Sequence, residues 1–224
     1  MTPGGELTGA VLAGGQSRRM GRDKAMLSVD GDPLWLRQVR VLRAAGATTV
    51  GVVRRHDQAA LDLSRWERAG SRPAAGAGQP GPTAIAPTGS RPPPVELWFD
   101  AASDVGPLAG LDAALTACRT EQLAVLAVDM PGIDAGWFRW LRESCRAGAG
   151  AITQHPDGTF EALAAIYPLA AAPPAAQCLR NGSYALQGLA AQLVAAELLV
   201  PVPLAASEAW RVASWNSPAD AAPA

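Results

Sequence analysis

Lysine is nearly missing from this chain of 224 residues: among 19 basic side chains Lys24 is the single lysine and the rest are arginine. Cysteine and histidine are scarce as well. Cys118, Cys145 and Cys178 are odd in number and widely spaced, with no CxxC pair. That argues against a disulfide framework and makes a reducing cytoplasm the expected setting. With only His56 and His155 available, it also argues against a Cys/His metal site. The formal net charge is -1, without the basic surplus that general nucleic-acid binding needs. The longest apolar run, 162–176, carries Pro168, Pro173 and Pro174 and falls short of the roughly 20 residues a bilayer requires. Met1 to Thr8 has neither the basic nor the apolar region of a signal peptide. Neither nucleic acid nor a membrane is therefore expected as a partner. No GxGxxG follows the first strand and no Gly-Lys-Ser/Thr occurs, which sets aside the dinucleotide fingerprint and the Walker A loop.

What is present is a core's worth of apolar residues, 49% of the chain, although alanine alone supplies 47 of them. Leu7 to Leu12 reads as a buried strand closed by Gly14-Gly15. Asp32-Pro33 reads as the N-cap and first position of a helix over 33–45, stopped by Gly46. Further strands are expected at 48–53, 95–99, 123–128 and 149–153, and further helices at 58–69 and 107–119. Another helix is expected after Asp134, carrying Trp137, Phe138 and Leu141. The alternation predicts a three-layer α/β domain with a Rossmann-like, mostly parallel sheet between helical layers. The C-terminal third is less regular: strands at 160–167, 198–202 and 210–215, and a helix over 184–196. Residues 69–94 hold seven Pro and five Gly and no aromatic residue. They read as a disordered surface insertion within one domain spanning 1–224. A polyproline ligand at Arg91-Pro92-Pro93-Pro94 is the alternative.

The segment with the most chemistry is Leu12-Ala13-Gly14-Gly15-Gln16-Ser17-Arg18-Arg19-Met20-Gly21-Arg22-Asp23-Lys24, directly after the first strand. Glycines let backbone N–H groups approach phosphate oxygens, and the strand-to-helix turn forms an anion nest. Three arginines and the lysine set positive charge over it, as a triphosphate needs. The bland alternative is a solvated basic turn. Asp100 and Asp129 both end predicted strands, where open α/β sheets place their ligands. Asp129 alternatively caps the next turn, and Asp100 alternatively serves a turn.

This segment resembles the LAGGxSxRMGxDK signature of the MobA-like nucleotidyltransferases, the molybdenum cofactor guanylyltransferase family. Three more resemblances follow in order: Asp100 with Gly106-Pro107-Leu108-Ala109-Gly110, then Val128-Asp129-Met130-Pro131, then Asn216-Ser217-Pro218-Ala219-Asp220. Glu161-Ala162-Leu163-Ala164-Ala165-Ile166-Tyr167 is similar to the family's acceptor-side E-P-L-x-A-x-Y, with Ala162 in place of Pro; Ser214 stands where a second Asn is common. The resemblance implies transfer of GMP from GTP to the terminal phosphate of molybdopterin cofactor, with release of pyrophosphate and dependence on Mg2+. It implies Leu12, Ala13, Gly14 and Gly15 against the nucleotide, Arg19 on the β/γ-phosphates, and Lys24 near the α-phosphate. Asp129 would hold Mg2+, Asp100 would contact base or ribose, Gly106 and Gly110 would let the chain approach the base, and Glu161 and Asn216 would lie on the acceptor side. Transient contact with molybdoenzymes or cofactor-handling proteins is implied too. Gly14-Gly15 with Met130 leans toward guanine. A cytidylyltransferase or sugar-phosphate nucleotidyltransferase of the same fold, or a nucleotide-binding module without turnover, are the alternatives. Cys118, Cys145 and most tryptophans read as packing.

Overall fold

The computed structural model describes residues 5–15, 23–29, 31–58, 61–69, 94–100, 105–216 and 220, with the side chains of 67–69 left aside. The proposed insertion, apart from its edges Ala69 and Pro94, lies outside the described residues, as does the polyproline alternative.

A seven-stranded sheet forms the middle layer. Its strands are β1 (Leu7–Leu12), β4 (Ala47–Arg54), β5 (Val95–Phe99), β6 (Gln122–Ala127), β7 (Gly150–Gln154), β8 (Ala164–Pro168) and β9 (Leu199–Pro203), in the order β5-β4-β1-β6-β8-β7-β9. All neighbours are parallel except those of β8, which runs antiparallel to β6 and β7. A two-residue ribbon, β2 (Ser28–Val29) and β3 (Asp32–Pro33), stands apart. The central strands are continuous apolar runs because helices cover both faces. On one face α1 (Leu34–Ala44), α2 (Ser64–Ala69) and α4 (Ala135–Ser144) bury Leu34, Trp35, Leu42, Trp66, Trp137, Phe138 and Leu141. On the other, α3 (Pro107–Ala117), α5 (Ala172–Arg180) and α6 (Leu186–Ala195) bury Leu108, Leu111, Leu115, Ala175, Leu189 and Leu193. No helix among the described residues is long and apolar enough to cross a membrane. Cys118 and Cys145 are buried free thiols, and burial pushes the Cys145 thiol up to about 11, which leaves it unreactive.

Several elements differ from the sequence expectation. Pro33 caps α1 instead of entering it, because Asp32 pairs with Val29 and its carboxylate meets Arg40. The helix expected over 58–69 is confined to Ser64–Ala69. The strand expected over 160–167 begins only at Ala164. Before it, Glu161 to Ala164 forms a turn, closed by the Ala164 N–H on the Glu161 carbonyl at 3.4 Å. The segment expected as a strand over 210–215 is a 3-10 turn over Ala206–Val212 followed by extended chain. Helix α5 was not expected. Its Pro173 and Pro174 occupy the first turn, where a missing N–H costs nothing, so residues that break an apolar run also start a helix.

Gly51 in β4 lies under the Trp98 indole. A Cβ added there would fall 2.1 Å from a Trp98 ring carbon. Trp98 is held in place by its Nε1 donating to Glu96 Oε2 at 2.9 Å. Gly51→Ala is expected to cost about 2 kcal/mol or more by overpacking, read by chemical denaturation. In a Trp98→Leu background the added cost should largely vanish. An equal cost in both backgrounds would show that the indole is not the obstacle.

Candidate active site

The carboxyl edge of the sheet collects the candidate side chains, starting where β1 ends. The Leu12 carbonyl accepts from Val128 N at 3.0 Å and the Ala13 N–H donates to the Val53 carbonyl at 2.9 Å. The chain thus leaves β1 gripped by the strand ends on either side. A Cβ on Gly14 would lie 3.3 Å from Asp100 Oδ2 and 3.5 Å from Arg55 Cγ, so this glycine brings backbone close to a carboxylate. Gly15 faces open space, and its carbonyl accepts from Gln58 Nε2 at 3.2 Å. Residues 16–22, Arg19 among them, lie outside the described residues. The chain returns at Asp23, whose Oδ1 accepts from Ala25 N at 3.0 Å and so opens a 3-10 turn over Lys24–Met26.

That turn aims Lys24 across the top of the sheet. Its Nζ is 2.8 Å from Asp129 Oδ2 and 3.0 Å from Asn216 Oδ1. Three residues separated by 105 and 192 positions thereby meet at one point. Asp129 lies two residues beyond the end of β6. The cap of the following helix is Asp134, whose Oδ1 accepts from Trp137 N at 3.0 Å. The Asp129 carbonyl accepts from Trp215 N at 2.8 Å, which draws the C-terminal segment over the site and delivers Asn216. Arg211 secures the same segment, with Nη2 2.7 Å from Asp134 Oδ1 and its guanidinium over the Trp137 ring. Gly132 is the seat: a Cβ there would lie 2.6 Å from the Arg211 carbonyl oxygen.

Asp100 is buried beside Gly14 and its N–H donates to the Arg54 carbonyl at 3.1 Å. Burial pushes its carboxyl upward, and the charges of Arg55 and His56 oppose this. The folded state therefore holds the Asp100 proton more readily than the unfolded chain. Ionising Asp100 costs no folding stability in acid below the usual carboxylate range, and the cost grows as pH rises through the raised pKa. Asp100→Asn removes that cost. The melting temperature of the variant relative to wild type should therefore climb from about pH 4 toward neutrality, as a series of thermal melts would show. A difference that stays constant with pH would rule out burial of the charge as the cause.

Glu161 sits in the turn before β8. Burial pushes its carboxyl upward against the Leu163 N–H and His155, and the charge of Asp129 adds to the upward push. His155 Nε2 lies 3.6 Å from Glu161 Oε2, a partner that sequence spacing did not reveal. His56, also without an evident partner in the sequence, stacks on Phe99 with ring centroids 4.7 Å apart. Gly106 caps the start of α3 with φ +75, in the region that favours glycine. Gly110 lies further into α3 against Leu12 and Val53, at 3.6 and 3.8 Å from an added Cβ, so its contacts are with the sheet.

No group of three or more His, Cys, Asp or Glu among the described residues forms a metal-binding cluster. Asp129, a partly exposed carboxylate, is a donor of the kind that could hold Mg2+. That ion keeps several waters and takes one or two carboxylates together with substrate phosphates. Sequence reasoning missed Arg54 and His155. An arginine closing an apolar strand was the available signal for the first; the second had none.

The model of the MobA-like NTP transferase domain matches residues 9–197. A probable molybdenum cofactor guanylyltransferase of Opitutus terrae is 46% identical over 217 residues, covering 96% of this chain and 92% of the relative. A probable molybdenum cofactor guanylyltransferase of Deinococcus radiodurans is 31% identical over 183 residues, covering 81% and 77%. Among solved structures, molybdopterin-guanine dinucleotide biosynthesis protein A of Archaeoglobus fulgidus superposes with a TM-score of 0.64 at 23% identity, covering 96% of this chain and 94% of that one. It shares the fold described above.

Proposed function

Because the chain belongs to the MobA-like NTP transferase family, we propose that it transfers GMP from GTP to the terminal phosphate of molybdopterin cofactor and releases pyrophosphate. The observation that carries this reading is the convergence of Lys24, Asp129 and Asn216 at the carboxyl edge of the sheet. A nucleotide-binding module without turnover has no need of a cation and an anion in contact where the α-phosphate would lie.

The chemistry asks little of the protein beyond placement and charge. An acceptor phosphate oxygen attacks the α-phosphorus, the bond to the β-phosphate breaks, and pyrophosphate departs. The nucleophile is already anionic, so no general base is required. The backbone at Leu12, Ala13, Gly14 and Gly15 cradles the nucleotide. Lys24 supplies a compact positive charge for the α-phosphate as charge moves toward the leaving group. Arg19 is proposed to meet the β/γ-phosphates. Asp129 would hold Mg2+, which neutralises phosphate charge when bound. Asp100 accepts hydrogen bonds from base or ribose, and its raised pKa marks a carboxylate kept at some cost to stability. Gly106, having no side chain, leaves the approach to the start of α3 open on this edge. Glu161 and Asn216 face the acceptor. Three free cysteines suit a reducing cytoplasm, and transient contact with molybdoenzymes or cofactor-handling proteins would pass the product on.

The test is pyrophosphate release from the purified protein with Mg2+, molybdopterin cofactor and each nucleoside triphosphate in turn. Release with GTP alone is the expected result. Release with CTP alone would keep the reaction and overturn the base. Binding of GTP without release under any condition would move the protein to the non-catalytic reading.

A further inference from the structure

Arg54 is 1% exposed and has no part in the reaction proposed above. A guanidinium is tolerated in such a place only when its donors meet acceptors. Its Nη2 is 2.7 Å from Asp23 Oδ2 and its Nη1 is 3.4 Å from the Ala13 carbonyl oxygen. These acceptors stand at opposite ends of one loop, Ala13 where the chain leaves β1 and Asp23 where it comes back. The Arg54 carbonyl, in addition, accepts from the Asp100 N–H. Asp23 spends its other oxygen on Ala25 N and so starts the turn that points Lys24 at Asp129. An unbroken series of contacts therefore runs from a strand inside the sheet to the single lysine of the chain.

We propose that Arg54 is a positioning residue. Through Asp23 it fastens the return of the nucleotide loop to the end of β4 and sets the Lys24 ammonium against Asp129 and Asn216. The planar fork of a guanidinium suits this, because it reaches two diverging acceptors from a fixed plane. The placement stands on geometry. Its consequence for turnover rests on the role proposed for Lys24.

The two can be tested apart because Lys24 is the only lysine. Limiting acetic anhydride, with products mapped by mass spectrometry, reads the reactivity of its ε-amine against the N-terminal amine as internal reference. In the wild type the side chain is 14% exposed and should react slowly. Asp23→Asn keeps the shape of the side chain and an oxygen for Ala25 N, but loses the charge that holds Arg54. It is expected to raise the relative rate about tenfold, the size of one lost charge-assisted hydrogen bond. Arg54→Gln should do the same, and the double variant should react no faster than Arg54→Gln, since both cut one connection. Separate structural damage would add instead. Should Arg54→Gln fail to fold, Asp23→Asn alone decides the matter, with a thermal melt showing that it is folded. A relative rate within about twofold of wild type in folded Asp23→Asn overturns the proposal. Turnover is measured on the same samples. A faster acylation with kcat unchanged upholds the placement and removes Lys24 from the chemistry.

Discussion

Lys24→Met is expected to lower GTP turnover about a thousandfold while leaving the fold intact. The loss falls on kcat more than on the KM for GTP, because the ammonium counts most when charge builds toward the leaving group. Structural damage should be small. The ion pair with Asp129 is part-buried, with side chains 14% and 20% exposed, but Asp129 keeps some contact with solvent, so loss of the ammonium is expected to lower the melting temperature only modestly. Lys24→Arg should not restore the rate. The chain is otherwise served wholly by arginine, so composition does not resist that change, but a guanidinium spreads its charge over a planar fork and does not supply the compact positive charge that the Lys24 ammonium sets between Asp129 Oδ2 and Asn216 Oδ1. Steady-state kinetics beside a thermal melt checks both statements. Turnover within a few-fold of wild type for Lys24→Met would remove the charge-stabilising role.

Asp129→Asn is the second large effect, with an expected loss of about a hundredfold or more at ordinary Mg2+. The amide keeps the volume and can still accept from Lys24, so the Lys24 position should survive. What disappears is the negative charge that suits a hard divalent ion. The Mg2+ concentration for half-maximal rate should rise about tenfold or more. A Mg2+ titration of the two proteins makes the comparison. If the half-maximal concentration is unchanged while the rate falls, Asp129 acts by orienting Lys24 and the metal is held elsewhere. If neither changes, the carboxylate has no part in the reaction.

Asp129 and Lys24 also show how far a reading of residues could reach. Both were legible as candidates, one at the end of an apolar strand and the other as a solitary lysine in a glycine- and arginine-rich segment. Their contact was not, because nothing in the local pattern tells which strand ends adjoin. Leu7 to Leu12 was legible to the residue, since a short apolar run ended by Gly14-Gly15 permits little else. The run from Glu161 to Tyr167 was not. Its apolar residues suit a strand throughout, yet side-chain and backbone hydrogen bonds around Glu161 hold the first part in a turn. Helix α5 was hidden by Pro173 and Pro174, whose effect depends on whether they fall inside a helix or at its start.

The sequence by itself determined the alternation of strands and helices over most of the chain, the glycines that close β1, the helix stop at Gly46 and the cap at Asp134. These follow from local periodicity and from backbone conformations that few residues tolerate. Tertiary structure alone decided the rest. It inserted β8 antiparallel between β6 and β7, drew Asn216 over Asp129 through the Trp215 N–H, and buried Arg54 where it reaches both Ala13 and Asp23. The physical reason is the same in each case. A buried hydrogen-bonding or charged group must find a partner wherever the packed chain brings one, and that partner is set by the folding of distant segments together, not by its neighbours in sequence.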